Sequence, residues 1–307
     1  MFCAFSEYPD IKLNKPVVST DLQETEDTNE FGKLMVNSRV IFNCKTDGLV
    51  ENYTYDITWF INDNRIGDAK AKSLRVDDLN DGKGFLLEEH WKSKYHPNML
   101  VKCGIQARTQ GFQAPTPILM SDNFFAGIKI DQHYSKNFVV KEKEKLEIPV
   151  VMTIPVSCQW RKEDPSNNVK RNCRINLLNG IPKYQTDSGT CKNGIKKDGV
   201  KFTSQLCGIH FNHLDWKRTK YITVWGESDG MINNGYRLSF IRLYNDDTVV
   251  KPTEYLEYWT KIHLPDIKVL VEDGDDSTRG TACYSQNDPH MRTFDGRLRK
   301  EKNGLIA

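Results

Sequence analysis

Three residues, Cys44, Trp59 and Cys103, constrain the fold of this chain more than any others. Each lies in a short run that reads as a β-strand. Val40-Ile41-Phe42-Asn43-Cys44 is the first, and Ile57-Thr58-Trp59-Phe60-Ile61 is the second. The third, Leu100 to Ala107, alternates, so that Cys103 and Ile105 share one face. Two cysteines in separate strands can bridge two sheets, and a tryptophan in a strand between them can cover the bridge. A disulfide closing a loop of this length contributes roughly 4 kcal/mol by restricting the unfolded chain.

This pattern is that of an immunoglobulin-like sandwich. One hallmark is missing: the tyrosine expected two residues before the second cysteine is Val101 here. Another β-sandwich closed by the same disulfide is the alternative. Short β-rich runs continue downstream, as in Tyr221 to Trp225 and Tyr236 to Leu243. Turn pairs separate them, among them Asp81-Gly82, Asn193-Gly194, Asp198-Gly199 and Asn234-Gly235. Long helical periodicity is absent. The expected fold is all-β, with two tandem β-sandwich domains, the first immunoglobulin-like and spanning 1–127, the second spanning 128–271. The run Lys141-Glu142-Lys143-Glu144-Lys145 near the start of the second reads as a solvated edge or turn. A polar linker over 272–282 and a final segment over 283–307 complete the organisation.

The chain has eight cysteines and no Cys-x-x-Cys pair. Cysteines scattered through strand-like sequence point to disulfides and an oxidising compartment. Beyond Cys44 and Cys103, the cysteines Cys158, Cys173, Cys191 and Cys207 of the second unit allow three connectivities. Sequential pairing closes short loops of similar length and is the expectation, while Cys3 and Cys283 have no assigned partner. Asn52-Tyr53-Thr54 is a glycosylation sequon and agrees with a secretory route. The first ten residues lack a basic segment followed by an apolar one, so the chain reads as a piece of a secreted protein. No apolar run approaches the ~18 residues of a membrane span, so no membrane insertion is expected. A net charge of +2 gives no argument for nucleic acid.

Signals for catalysis are missing. There is no Gly-x-Ser-x-Gly elbow, no phosphate-cradling Gly-rich loop and no His-Glu-x-x-His. Cys207, His210 and His213 have a spacing that would converge on a helix. Their context reads as a strand, which puts the two histidines on opposite faces and leaves both partly exposed. Cys207 is also required for disulfide pairing. No metal, cofactor or catalytic residue is expected. Binding residues are expected on loops at the sandwich ends: Asn62 to Asp68, His90 to Asn98 and Thr109 to Pro117. Trp91, Tyr95 and Phe112 are the aromatic side chains in those loops best suited to a contact, core packing being the alternative for each.

The final segment carries a specific string. After Cys283 come Asp288-Pro289-His290 and then Thr293-Phe294-Asp295-Gly296, which resembles the opening of a von Willebrand factor type D domain. Asn287 stands where that family has glycine. Thr293-Phe294 suits a strand and Asp295-Gly296 a hairpin turn. The chain ends soon afterwards, so the segment is expected to be the truncated start of such a domain and to supply one strand at best. The order of sandwich, sandwich, linker and type D opening resembles the von Willebrand factor D and EGF domain-containing protein family. That resemblance implies a secreted or cell-surface multidomain protein that binds an extracellular protein or receptor; a structural spacer is the alternative.

Overall fold

The computed structural model describes residues 11–67, 71–110, 114–131, 137–164, 167–181, 196–197, 199–201, 207–230, 235–245, 257–260, 262, 264–274, 284–286, 290–292 and 298–300. Strands dominate, and their alternating burial shows why. In β3 (Thr54–Ile61) Tyr55, Ile57, Trp59 and Ile61 point inward, and in β7 (Met99–Arg108) Met99, Val101, Cys103, Ile105 and Ala107 do the same. The two strands pair antiparallel with Trp59 opposite Cys103. Around them lie β4 (Asn64–Arg65), β5 (Ala71–Leu74), β8 (Leu119–Met120) and β9 (Phe124–Ala126), all in one sheet.

The facing sheet is built on β2 (Leu34–Lys45), which pairs along its whole length with β1 (Val17–Thr28) and near its middle with β6 (Leu86–Leu87). The Cys44–Cys103 disulfide, with Cα atoms 6.0 Å apart, crosses from β2 to β7 and joins the two sheets. Trp59 is fully buried, and its indole N–H donates to the Gly84 carbonyl at 3.0 Å. A one-turn helix, α1 (Val76–Asn80), precedes β6. At the far end of the β3–β7 ladder from Val101, the Tyr55 hydroxyl accepts from the Val50 N–H at 2.6 Å and donates to the Val50 carbonyl at 3.1 Å. β1 is an edge strand with an acidic, exposed face, and the carboxylates of Asp21 and Asp27 cap the Leu22 and Thr28 amides. Such self-capping blunts an edge against pairing with another chain.

The second part contributes two five-stranded sheets. One joins β10 (Ile128–Ile130), β12 (Lys145–Met152), β18 (Lys220–Gly226), β16 (Val200–Lys201) and β15 (Lys196–Lys197) in that order. The other joins β11 (Phe138–Lys141), β20 (Ile267–Glu272), β19 (Tyr236–Asn245), β14 (Arg174–Gly180) and β17 (Ile209–Asn212), with β11 parallel to β20. A short helix, α2 (Asn167–Asn172), leads to Cys173, which is bonded to Cys158. Cys207 is disulfide-bonded as well; its expected partner Cys191, like Cys3 and Cys283, lies outside the described residues.

Gly127 joins β9 to β10. The backbone there is held tightly. The Asn98 N–H donates to the Ala126 carbonyl at 2.7 Å, and the Ile128 N–H donates to Asn98 Oδ1 at 2.8 Å. A Cβ on Gly127 would lie 2.4 Å from the Asn98 backbone nitrogen, so only glycine fits.

The two parts are not separate beads. Strand β13 (Cys158–Arg161), from the second part, pairs antiparallel with β2 of the first, Cys158 opposite Ser38 and Trp160 opposite Val36. The buried core runs without a break from Phe42, Trp59 and Trp91 to Tyr258, Trp259 and Val269. At the contact sits a buried carboxyl group. Glu88 follows β6, is 2 % exposed, and accepts from the Val40 N–H at 3.2 Å, from the Tyr258 hydroxyl at 3.2 Å and from the Ser157 hydroxyl. Arg39 Nη1 stands 3.8 Å from its other oxygen, and Trp91 packs edge-on to Tyr258 at 5.1 Å. Burial, with the Glu88 carboxyl beside it, pushes the Tyr258 phenol well above its ordinary pKa, so it stays a hydrogen-bond donor.

The final segment holds more strand than the single one expected. β21 (Tyr284–Gln286), β22 (His290–Arg292) and β23 (Leu298–Lys300) form a three-stranded antiparallel sheet. In it Arg292 pairs with Leu298. Asp288, Pro289, Thr293, Phe294, Asp295 and Gly296 themselves lie outside the described residues, as does the side chain of His290.

Candidate binding cleft

The strand register sorts the three nominated loops to opposite ends of the first sandwich. β7 starts beside the end of β3, with Ile61 opposite Val101, and finishes beside its beginning, with Thr54 opposite Arg108. His90 to Asn98 therefore lies at the end where Asn98 pins Gly127. It is a junction and not a free loop. Trp91 is wholly buried, which removes it as a contact residue; its indole fills the space between Phe42 and Tyr258. Tyr95 is half-buried against the same core. Phe112 lies outside the described residues.

Of the stretch from Asn62, Arg65 to Gly67 border an open surface. The outward-facing residues of β3 and β7, together with β4 and β5, line a cleft of about 660 Å³. Asp56, Thr58, Gln106 and Arg108 come from the sheet face, Arg65 from β4, and Lys72 from β5. Asp56 is 7 % exposed and fully engaged: its Oδ1 accepts from the Ser73 N–H at 2.8 Å and its Oδ2 from Arg108 Nε at 2.7 Å. Arg65 and Lys72 are exposed and form no ion pair among the described residues. Lys102, further along the face, is paired with Asp63 and lies 5.9 Å from the Phe60 ring centroid. The overall charge of the chain hides this local cationic surface.

A second concavity of about 420 Å³ lies at the junction, between Phe125, Ile130, Phe138 and Leu264. Its polar wall is Asp266, which is tied to Arg242 by two hydrogen bonds at 2.6 and 2.8 Å.

The tested metal cluster does not assemble. Cys207 is in a disulfide, and His210 lies exposed on β17. His213 departs from expectation: it falls just beyond the strand and is 7 % exposed. Its Nδ1–H donates to the Val156 carbonyl at 2.8 Å, and its ring meets Trp160 edge-on at 5.7 Å. Among the described residues no three His, Cys, Asp or Glu side chains converge as a metal site. Burial pushes the His213 pKa below its usual 6.5, with Lys170 adding to the effect against the Val156 hydrogen bond. His210 shifts the same way. Because the folded state holds both rings neutral, the unfolded chain takes up protons first as the pH falls. Stability is thus expected to decline below pH 6.5, down to the lowered folded pKa values. Melting temperatures from pH 7.5 downwards should record that decline, and His213→Phe should flatten it.

The charged run over 141–145 also hides a buried group. Lys141 ends β11 and Lys145 opens β12, but Glu142 between them is 3 % exposed. It is paired with Arg237, whose guanidinium also bonds the Glu227 carbonyl at 2.5 Å and lies 3.6 Å from Asp229. Lys141, Lys143, Glu144 and Lys145 are exposed, as a solvated turn requires, while Glu142 turns inward because Arg237 arrives from β19.

No protein-family model matches the chain, and no curated protein is detectably similar to it. Among solved structures it is similar to domains 1–6 of the surface layer protein SbsC, at 10% identity and a TM-score of 0.23. That match covers 96% of this chain, which spans 33% of the other.

Proposed function

We propose that this chain is a non-catalytic binding module of a secreted or cell-surface protein. The observation that carries the reading is the solvent-facing polar cleft on a sandwich stapled by the Cys44–Cys103 disulfide. A rigid sheet face on which Arg65 and Lys72 have no ion pair among the described residues is suited to recognition, and the disulfides fit an oxidising compartment. The partner class is an extracellular protein, receptor or matrix component. The resemblance of the final segment to a type D opening is consistent with a place in a larger extracellular protein. The test is binding of the oxidised full chain to cell surfaces and extracellular matrix. Retention on either supports the reading; no retention, with the fold intact by circular dichroism, contradicts it.

A spacer is the second reading, favoured by the pairing of β13 with β2, which fixes the two parts as one stiff body. A spacer has the same stability and binds nothing.

Asn52 offers an independent check on the secretory route. It is exposed in the turn before β3, and Thr54 begins the strand. Expression through a secretory host is expected to add one N-linked glycan, read as a mass increase that Asn52→Gln abolishes. An unmodified Asn52 in protein so produced would weigh against that route.

A further inference from the structure

We infer that the cleft on the outer face of β3 and β7 binds a sulfated polysaccharide. The inference deepens the binding reading above and rests on it. The lining supplies three cationic side chains, Arg65, Lys72 and Arg108, and one carboxylate, Asp56. That carboxylate is held by Ser73 and Arg108 and is nearly closed to solvent. It therefore balances Arg108 and leaves Arg65 and Lys72 to set the potential in the cleft. A guanidinium presents a planar fork of donors that fits a sulfate or carboxylate group.

The spread of these charges selects a long ligand over a small ion. Arg65 lies opposite Phe60, and Lys72 follows Ala71, which lies opposite Ile57. Three strand steps at about 3.3 Å, or about 10 Å along the sheet, separate those two partners. A linear polyanion can set one anionic group at each cation; a single inorganic anion leaves one of them unmatched.

The remaining lining separates a sugar from a peptide. Peptide hot spots seat an aromatic or aliphatic side chain in an apolar pocket. Here the apolar lining residues, Ile57 and Ile66, are themselves buried at 4% and 7% exposure. The Thr58 hydroxyl can hydrogen-bond sugar hydroxyls, as can the Gln106 amide, whose Nε2 is already held by the Thr116 carbonyl at 3.1 Å.

The test is titration of the oxidised full chain with a heparin-derived octasaccharide at about 0.15 M salt, where long-range attraction is largely screened. Parallel titrations use the desulfated octasaccharide, a poly-glutamate peptide and an oligothymidylate. Arg65→Ser combined with Lys72→Ser is compared with Lys12→Ser combined with Lys33→Ser, which removes two exposed lysines outside the cleft lining. The expected result is sulfate-dependent binding, weakened about tenfold or more by the cleft pair and little by the other, as loss of two charge-assisted contacts requires. Three outcomes overturn the inference: equal losses in the two double variants, tighter binding of the peptide or oligonucleotide, and no binding of the octasaccharide. In the last case, retention of the chain on cells or matrix would leave the binding-module reading standing while this one fails.

Discussion

Trp59→Ala is expected to lower the stability of the folded chain by about 3–5 kcal/mol, the range for truncating a large aromatic in a closed core. The indole is wholly buried, lies opposite Cys103 in the ladder, and donates its N–H to the Gly84 carbonyl. Removing it opens a cavity beside the inter-sheet disulfide and leaves that carbonyl without its donor. The disulfide restricts the unfolded chain and cannot refill the space. Urea denaturation of oxidised wild type and variant, compared by midpoint at equal slope, measures the change. A loss under about 1 kcal/mol would place Trp59 outside the cooperative core.

Glu88→Ala is expected to cost a similar amount, about 3–5 kcal/mol, for a different reason. The substitution strands the Val40 N–H, the Ser157 hydroxyl and the Tyr258 hydroxyl, all of which bond the same carboxyl oxygen. Each buried group left unpaired costs about 1–3 kcal/mol. Tyr258→Phe, which removes one donor and keeps the ring against Trp91, should cost only about 1 kcal/mol. Since Glu88 comes from the first part and Ser157 and Tyr258 from the second, the whole described body should melt in one step. Calorimetry of wild type that resolves two transitions would mean the shared β2–β13 ladder and this cluster do not couple the parts.

The strands with buried faces could be read from the chain, because alternation writes burial into the sequence. The runs at Val40–Cys44, Ile57–Ile61, Leu100–Ala107, Tyr221–Trp225 and Tyr236–Leu243 fall within β2, β3, β7, β18 and β19. β1 was not legible: as a polar edge strand it has little apolar period, and its hydrogen bonds to β2 define it. Long-range burial was invisible for the same physical reason. Glu88 sits in the charged run Glu88-Glu89-His90, and Glu142 among lysines; their partners lie 69 and 170 residues away for Glu88 and 95 for Glu142. Trp91 looked like a loop aromatic because nothing local records that Tyr258 packs on it. Of the candidate cleft lining, Arg65 to Gly67 fall within the nominated stretch from Asn62 to Asp68. Lys72 and Arg108 do not, since Arg108 joins the other two cations only once β3, β4, β5 and β7 share a sheet.

The disulfide-stapled sandwich is the claim on which both the compartment and the binding surface depend. It is tested most directly by non-reducing peptide mapping of the chain recovered from an oxidising secretory host. The account predicts linked peptides for Cys44 with Cys103 and for Cys158 with Cys173. Free thiols at Cys44 and Cys103 in that material would contradict it.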